Sequence, residues 1–359
     1  MTLTTESSTD ERLAVSELWY TRCPVPTASS IAISQGWLDD EFEPDGITVS
    51  SLRASGDRTV RESHFDHTKA DSFRQGGNIP PIWSRSLGRD LRLIGLSWVP
   101  AYQGILSLPG SGIEGPADLA GKRLGVSRRL NDQIDFWRAT AIRGFVTTLA
   151  QADLTFDDAT LVDLPVSETY LGSEGESHSG SLFGARTGRR LQSAEVLALV
   201  RGEIDAIYVS GARGVDLQAL LDAHVVFDIG SHPDRSVAIS NSQPAALTVS
   251  GDLLERCPDL VARYLAATLR AAEWSKDHRD ETHRIIASEV GFAEEWVEDS
   301  YPGGIHRQLV PSLDDELVAA IDSQQQFLLE WGFIDSPVDL DEWIAPEPLA
   351  EAHRLLEHG

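Results

Sequence analysis

The feature that most constrains this chain is a regular alternation of short β-branched runs with amphipathic helical stretches. Strand-like runs fall at 17–20, 47–52, 91–96, 104–108, 123–126, 159–164, 204–209, 225–229 and 246–249. Between them, 28–35, 134–150, 193–201, 259–276 and 314–331 carry apolar residues at helical spacing. Thr27 is placed to cap the first of these helices, Gly36 to stop it, and Gly202 to close the helix at 193–201. Strand–helix alternation of this kind predicts an α/β fold with largely parallel sheets. At 359 residues the chain is too long for one small core.

Charge restricts the partners. Lys and Arg total 30 against 56 Asp and Glu, a net −26. So acidic a surface repels phosphate backbones and anionic lipid, and neither nucleic acid nor membrane is an expected partner. An anionic substrate is opposed at long range for the same reason, so any anion site has to be a local basic feature. The start of the chain is rich in Thr, Ser and Glu, with no basic segment leading into an apolar run. The expectations are therefore no export signal, a cytoplasmic protein, reduced thiols and a disordered tail at 1–11.

Three residues invite a chemical reading. Cys23, in LWYTRCPVPTASS, lies just past the first strand and before a helix, with Pro24 and Pro26 fixing the turn. In open α/β sheets, ligands bind at the carboxyl ends of strands. The bland alternative is a buried, inert thiol, and Cys257 at a helix start fits that reading better. His64 and Arg74 share the segment SHFDHTKADSFRQGGNIPP. His64, Asp66 and His67 hint at a metal, but the spacing supplies no further ligand and no metal is expected. Arg74 followed by Gly76 and Gly77 reads either as an ordinary loop or as an anion pocket, a guanidinium backed by closely approaching backbone. There is no G-x-S-x-G elbow, P-loop or dinucleotide fingerprint; the glycine-rich stretch at 179–188 follows no strand in the required way.

The segments GILSLPGSGIEGPADLAGKRLGV and AEVLALVRGEIDAIYV resemble the second lobe of the type II periplasmic-binding-protein fold, as in sulfonate and taurine binders. The resemblance implies two lobes around a cleft that holds the site: 12–104 plus 229–359 as the first, 105–228 as the second. More specifically, YTRCPVP, HF with Arg74 ten residues after the histidine, GGNIPP, DLAGKRLGVS, RQLVPSLDDELVAAIDSQQQFLL and LDEWIAPEPL resemble the 2'-hydroxybiphenyl-2-sulfinate desulfinase family over nearly the whole length. That family hydrolyses an aryl sulfinate to the arene and sulfite without metal or organic cofactor.

Carried over by position, the resemblance implies Cys23, His64 and Arg74 as catalytic residues. It implies Gly77 as a backbone N–H donor to the sulfinate, and Pro24, Phe65 and Trp137 beside the substrate; His67 matches no functional position. Cys23 then either attacks sulfur or delivers a proton to carbon. The expected partner is a small aromatic sulfinate, and the expected state a monomer. Where the family has a tryptophan-containing wall, this chain has Val209, Ser210, Gly211, Ala212 and Arg213, and the segments at 57–63 and 139–156 are longer. The same bond cleavage is expected, on 2'-hydroxybiphenyl-2-sulfinate or a related aryl sulfinate. The alternative is a non-catalytic sulfonate- or sulfinate-binding protein of an importer, which explains the fold and Arg74 but needs neither the thiol nor a missing export signal.

Overall fold

A computed structural model describes residues 15–170 and 192–358. The N-terminal tail and the glycine-rich stretch at 179–188 lie outside the described residues. Among the described residues, ten strands form two five-stranded sheets. The first is built from β1 (Glu17–Arg22), β2 (Thr48–Ser51), β3 (Ser72–Gly76), β4 (Leu91–Ser97) and β10 (Ala245–Ser250), in the order β2-β1-β3-β10-β4. The second comprises β5 (Gln103–Ser107), β6 (Arg123–Arg129), β7 (Thr160–Val166), β8 (Ala206–Ser210) and β9 (His224–Asp228), in the order β7-β6-β8-β5-β9.

The parallel expectation holds for β2-β1-β3 and for β7-β6-β8. It does not hold for β10, antiparallel to both neighbours, nor for β5, antiparallel to β8 and β9. These two strands are where the chain passes between the sheets and reverses direction. Their connections are tied side by side: the Gln103 Nε2–H donates to the Ala238 carbonyl and to Gln243 Oε1. Gln243 Nε2–H in turn donates to the Val99 carbonyl. This is a two-lobed type II periplasmic-binding-protein-like fold.

Of the elements without a counterpart in the sequence pattern, two carry candidate site residues. One is the Arg58–Asp66 helix, whose buried residues are Arg61, Ser63, His64 and Phe65. The other is β3, SFRQG, read from sequence as an arginine-bearing loop but in fact a central strand with all five residues buried. A strand covered on both faces ordinarily reads as an apolar run. Here Ser72, Arg74 and Gln75 replace that run because the strand builds a site as well as a core.

Phe73 anchors β3 by stacking on Tyr264 of the Pro258–Asp277 helix, centroids 3.8 Å apart. At the opposite edge the C-terminal LDEWIAPEPL segment docks on β4, with the Ala345 N–H donating to the Leu93 carbonyl and Trp343 fully buried.

The Ala28–Ser34 helix begins where the cysteine turn ends. Thr27 caps it by accepting the Ser30 N–H and also bonds the Ser29 and Ser30 hydroxyls, in a position with no solvent exposure. Thr27→Ala is expected to cost ~1 kcal/mol or somewhat more, since a cap and two buried hydroxyl contacts go together. Chemical denaturation checks this: the midpoint should fall at unchanged slope, and an unmoved midpoint would show that the cap contributes nothing.

Candidate active site

Pairing between β1 and β3 explains why the cysteine, histidine and arginine meet. The two strands are parallel neighbours with Thr21 opposite Arg74. The Cys23 N–H continues the ladder by donating to the Gln75 carbonyl. Side chains alternate along a strand, so Thr21 and Cys23 share a face. Arg22, between them, turns away to pair with Glu289 at 2.7 Å. Beyond the strand end the Val25 N–H donates to the Cys23 carbonyl, closing the proline-flanked turn. The histidine arrives from the helix just before β3: His64 is in its last turn, and His67 ends it in a left-handed conformation (φ 53°).

All three side chains are buried, Cys23 at 8%, His64 at 2% and Arg74 at 2% exposure. His64 Nε2 lies 3.5 Å from Cys23 Sγ, and His64 Nδ1 lies 2.7 Å from Thr21 Oγ1. Arg74 spreads its guanidinium over three acceptors: Nε–H donates to the His64 carbonyl (2.9 Å), Nη1–H to the Gly77 carbonyl (2.7 Å) and Nη2–H to Cys23 Sγ (3.2 Å). Among the described residues no carboxylate pairs with it. Burial accordingly lowers the Arg74 pKa from its ordinary value, with Cys23 and then Tyr170 opposing that shift.

Both glycines are required by close approach. A Cβ on Gly76, whose φ is +155°, would sit 2.5 Å from Cys23 Sγ, and one on Gly77 would sit 2.2 Å from the Asn241 side chain.

The histidines are neutral. Burial, and then the charges of Arg74, Arg53 and His67, hold the His64 ring well below its ordinary range. Burial and then Arg74 push His67 down to about 3, against the hydrogen bond to the Phe65 carbonyl that favours its charged form. His67 therefore packs behind the site, its Nε2 3.4 Å from Thr248 Oγ1 on β10. No group of three His, Cys, Asp or Glu poised for a metal occurs among the described residues.

An aromatic cluster flanks the polar trio. Phe65, edge-on to His64, stacks on Phe136 at 6.1 Å and meets Tyr170 edge-on at 5.6 Å. Phe65 belongs to the first lobe, while Phe136 and Tyr170 come from the segment that builds the second, so the site lies between the sheets. Burial, followed by the nearby Cys23, pushes the Tyr170 hydroxyl up to about 12. The Tyr170 N–H is held by Asp132, which is itself paired with Arg129.

Of the tryptophan-bearing pair it is Phe136 that meets Phe65. Trp137 turns into the second lobe, where its Nε1–H donates to Glu195 at 3.1 Å and its ring packs on Tyr208. Pro24 is half-buried in the cysteine turn. In the segment that departs from the family pattern, Arg213 is paired with Asp216 at 2.6 Å. Cys257 is half-buried at the N-terminus of the Pro258–Asp277 helix, and neither it nor Cys23 is in a disulfide.

Sequence reasoning missed Thr21, Phe136 and Tyr170. Strand alternation from Cys23 points back to Thr21, whereas nothing local marks Tyr170.

With this geometry in place, comparison with known proteins is informative. The chain is 32% identical over 351 residues, 92% of each chain, to the 2'-hydroxybiphenyl-2-sulfinate desulfinase of Rhodococcus erythropolis. It superposes, at a TM-score of 0.75 and 28% identity, on a cysteine-to-serine mutant of the enzyme DSZB in complex with biphenyl-2-sulfinic acid, covering 94% of this chain and 99% of that one. The aliphatic sulphonate binding protein SsuA of Escherichia coli shares the fold, at a TM-score of 0.65, 15% identity and 92% coverage of both chains. No family model matches.

Neutral buried histidines make stability depend on pH. In the unfolded chain they take up a proton near the ordinary value of 6.5, which the fold forbids. Stability is undiminished above that pH and declines as pH falls below about 6.5, for His67 down towards about 3. Comparing His67→Gln with the wild type by thermal melts isolates one ring from the rest of the chain. The wild type should lose more melting temperature than the variant between pH 7 and pH 4, and parallel losses would contradict a neutral buried His67.

Proposed function

The chain belongs to the 2'-hydroxybiphenyl-2-sulfinate desulfinase family, and from that premise we propose that it is an aryl sulfinate desulfinase acting as a hydrolase on the carbon–sulfur bond. The observation that carries the proposal is the buried Arg74, with no carboxylate partner among the described residues and one N–H on the Cys23 sulfur. A desolvated cation of this kind calls for an anion, and a guanidinium fork suits the two oxygens of a sulfinate. The Gly77 N–H supplies a further donor. Phe65, Phe136 and Tyr170 flank the arene, with Pro24 on the cysteine side. The substrate is 2'-hydroxybiphenyl-2-sulfinate or a closely related aryl sulfinate.

The neutrality of His64 favours one of the two chemical routes. Cleavage requires a proton on the ring carbon that loses sulfur. An imidazole kept neutral by burial is a poor acid, which leaves Cys23, set against the sulfinate-binding arginine, as the proton source. Cys23 therefore gives its S–H proton to the carbon. The C–S bonding pair goes to that new C–H bond, and sulfur leaves as SO₂. Water converts SO₂ to bisulfite and a proton, which returns to the Cys23 thiolate. Arg74 neutralises the sulfinate and holds the thiolate once the proton has gone, and His64 orients the sulfur. Atoms balance as ArSO₂⁻ + H₂O → ArH + HSO₃⁻. A sulfonate-binding role shares the fold and the arginine but has no use for a thiol hydrogen-bonded to histidine.

Sulfite release from 2-phenylbenzenesulfinate tests the proposal. The wild type should release it, and Cys23→Ser should be slower by at least about a hundredfold, the lower end of a general acid's contribution. Equal rates would remove the assignment. Rapid-quench mass spectrometry should find Cys23 unmodified during turnover; an adduct retaining SO₂ would favour nucleophilic attack instead.

A further inference from the structure

We infer that Thr21 is a positioning residue that fixes the tautomer of His64, placing the ring proton on Nε2 so that it faces the Cys23 sulfur. Thr21 is 3% exposed and its Oγ1 lies 2.7 Å from His64 Nδ1. Two arrangements fit that distance. Either the hydroxyl donates to Nδ1, or an Nδ1–H donates to the hydroxyl oxygen. Among the described residues the hydroxyl hydrogen has no other acceptor, so the second arrangement leaves a buried donor without a partner. Buried donors are overwhelmingly satisfied. The hydroxyl therefore donates, Nδ1 accepts, and the single proton of the neutral ring resides on Nε2.

This sets the geometry at the sulfur. Nε2 is 3.5 Å from Cys23 Sγ, and the Arg74 Nη2–H is already directed at the same atom from 3.2 Å. Two N–H groups then converge on the sulfur lone pairs, which turns the thiol's own hydrogen away from both. The opposite tautomer would present a bare Nε2 to the thiol, which would accept the S–H hydrogen bond and take that proton out of line with the substrate. Thr21 thus acts through His64 without touching the reacting atoms. Register explains its place: on a strand face, the residue two before the cysteine is the one that reaches the far side of a ring set beside the thiol.

The catalytic consequence rests on the desulfinase reading, whereas the hydrogen bond does not, and the experiment separates them. Long-range ¹H–¹⁵N spectra of uniformly labelled protein report which ring nitrogen carries the proton. His64, one of ten histidines, is identified by its loss in His64→Gln. The wild type and Thr21→Ser should show Nε2–H, and the isosteric Thr21→Val should lose that preference. In sulfite release Thr21→Val should lower kcat by at least about tenfold with KM within about threefold, since a misplaced tautomer harms chemistry rather than binding. Thr21→Ser should restore kcat to within about threefold.

An Nδ1–H tautomer in the wild type overturns the inference, as does a Thr21→Val protein that keeps both tautomer and kcat. Should Thr21→Val fail to fold, the wild-type and Thr21→Ser spectra still decide it. If the wild type releases no sulfite, the desulfinase reading falls and the spectra alone judge Thr21.

Discussion

The site depends on one buried positive charge. Arg74 occupies a central strand at 2% exposure, where a cation loses several kcal/mol of hydration. Two backbone carbonyls return about 1.5–3 kcal/mol each, enough to offset much of that cost. Its third direction ends on the Cys23 sulfur, a weak acceptor for a full charge. Among the described residues no carboxylate completes its pairing, which is why the proposed function gives this cation an anionic substrate. The neighbouring histidines respond to the same charge, which adds to burial in keeping both neutral.

This local charge resolves the conflict posed by the net −26. Long-range attraction is not needed when the anion's partner is desolvated inside the protein, where an interaction is stronger and screened less by salt than at the surface. The aromatic edges of Phe65, Phe136 and Tyr170 surround the same point, contributed from both sides of the cleft. Phe65 and Phe136 make the aromatic wall continuous across the two sheets, their centroids 6.1 Å apart.

The elements were legible in the sequence in proportion to how conventionally they are buried. Strands with β-branched cores and the two longest helices, Pro258–Asp277 and Asp315–Glu330, lie close to where periodicity places them, and the Thr27 cap follows from its chemistry. The Arg58–Asp66 helix and β3 were not legible, because their buried positions are occupied by Arg61, Ser63, His64, Arg74 and Gln75. The residues that make the site erased the pattern that would have revealed its scaffold. Cys23, His64 and Arg74 came from family spacing, and Gly76 from its adjacency to Gly77. Phe136 and Tyr170 depend on the approach of the second lobe and left no local signal.

The central claim is that the buried Arg74 charge is what selects a sulfinate. Calorimetric titration of an aryl sulfinate into the Cys23→Ser protein, with Arg74 intact and then replaced by Met, reads that claim without interference from turnover. The account predicts saturable binding with Arg74 and a loss of at least about thirtyfold in affinity without it, the low end for removing one partner of a buried charge pair. Equal affinity for the two proteins would contradict it.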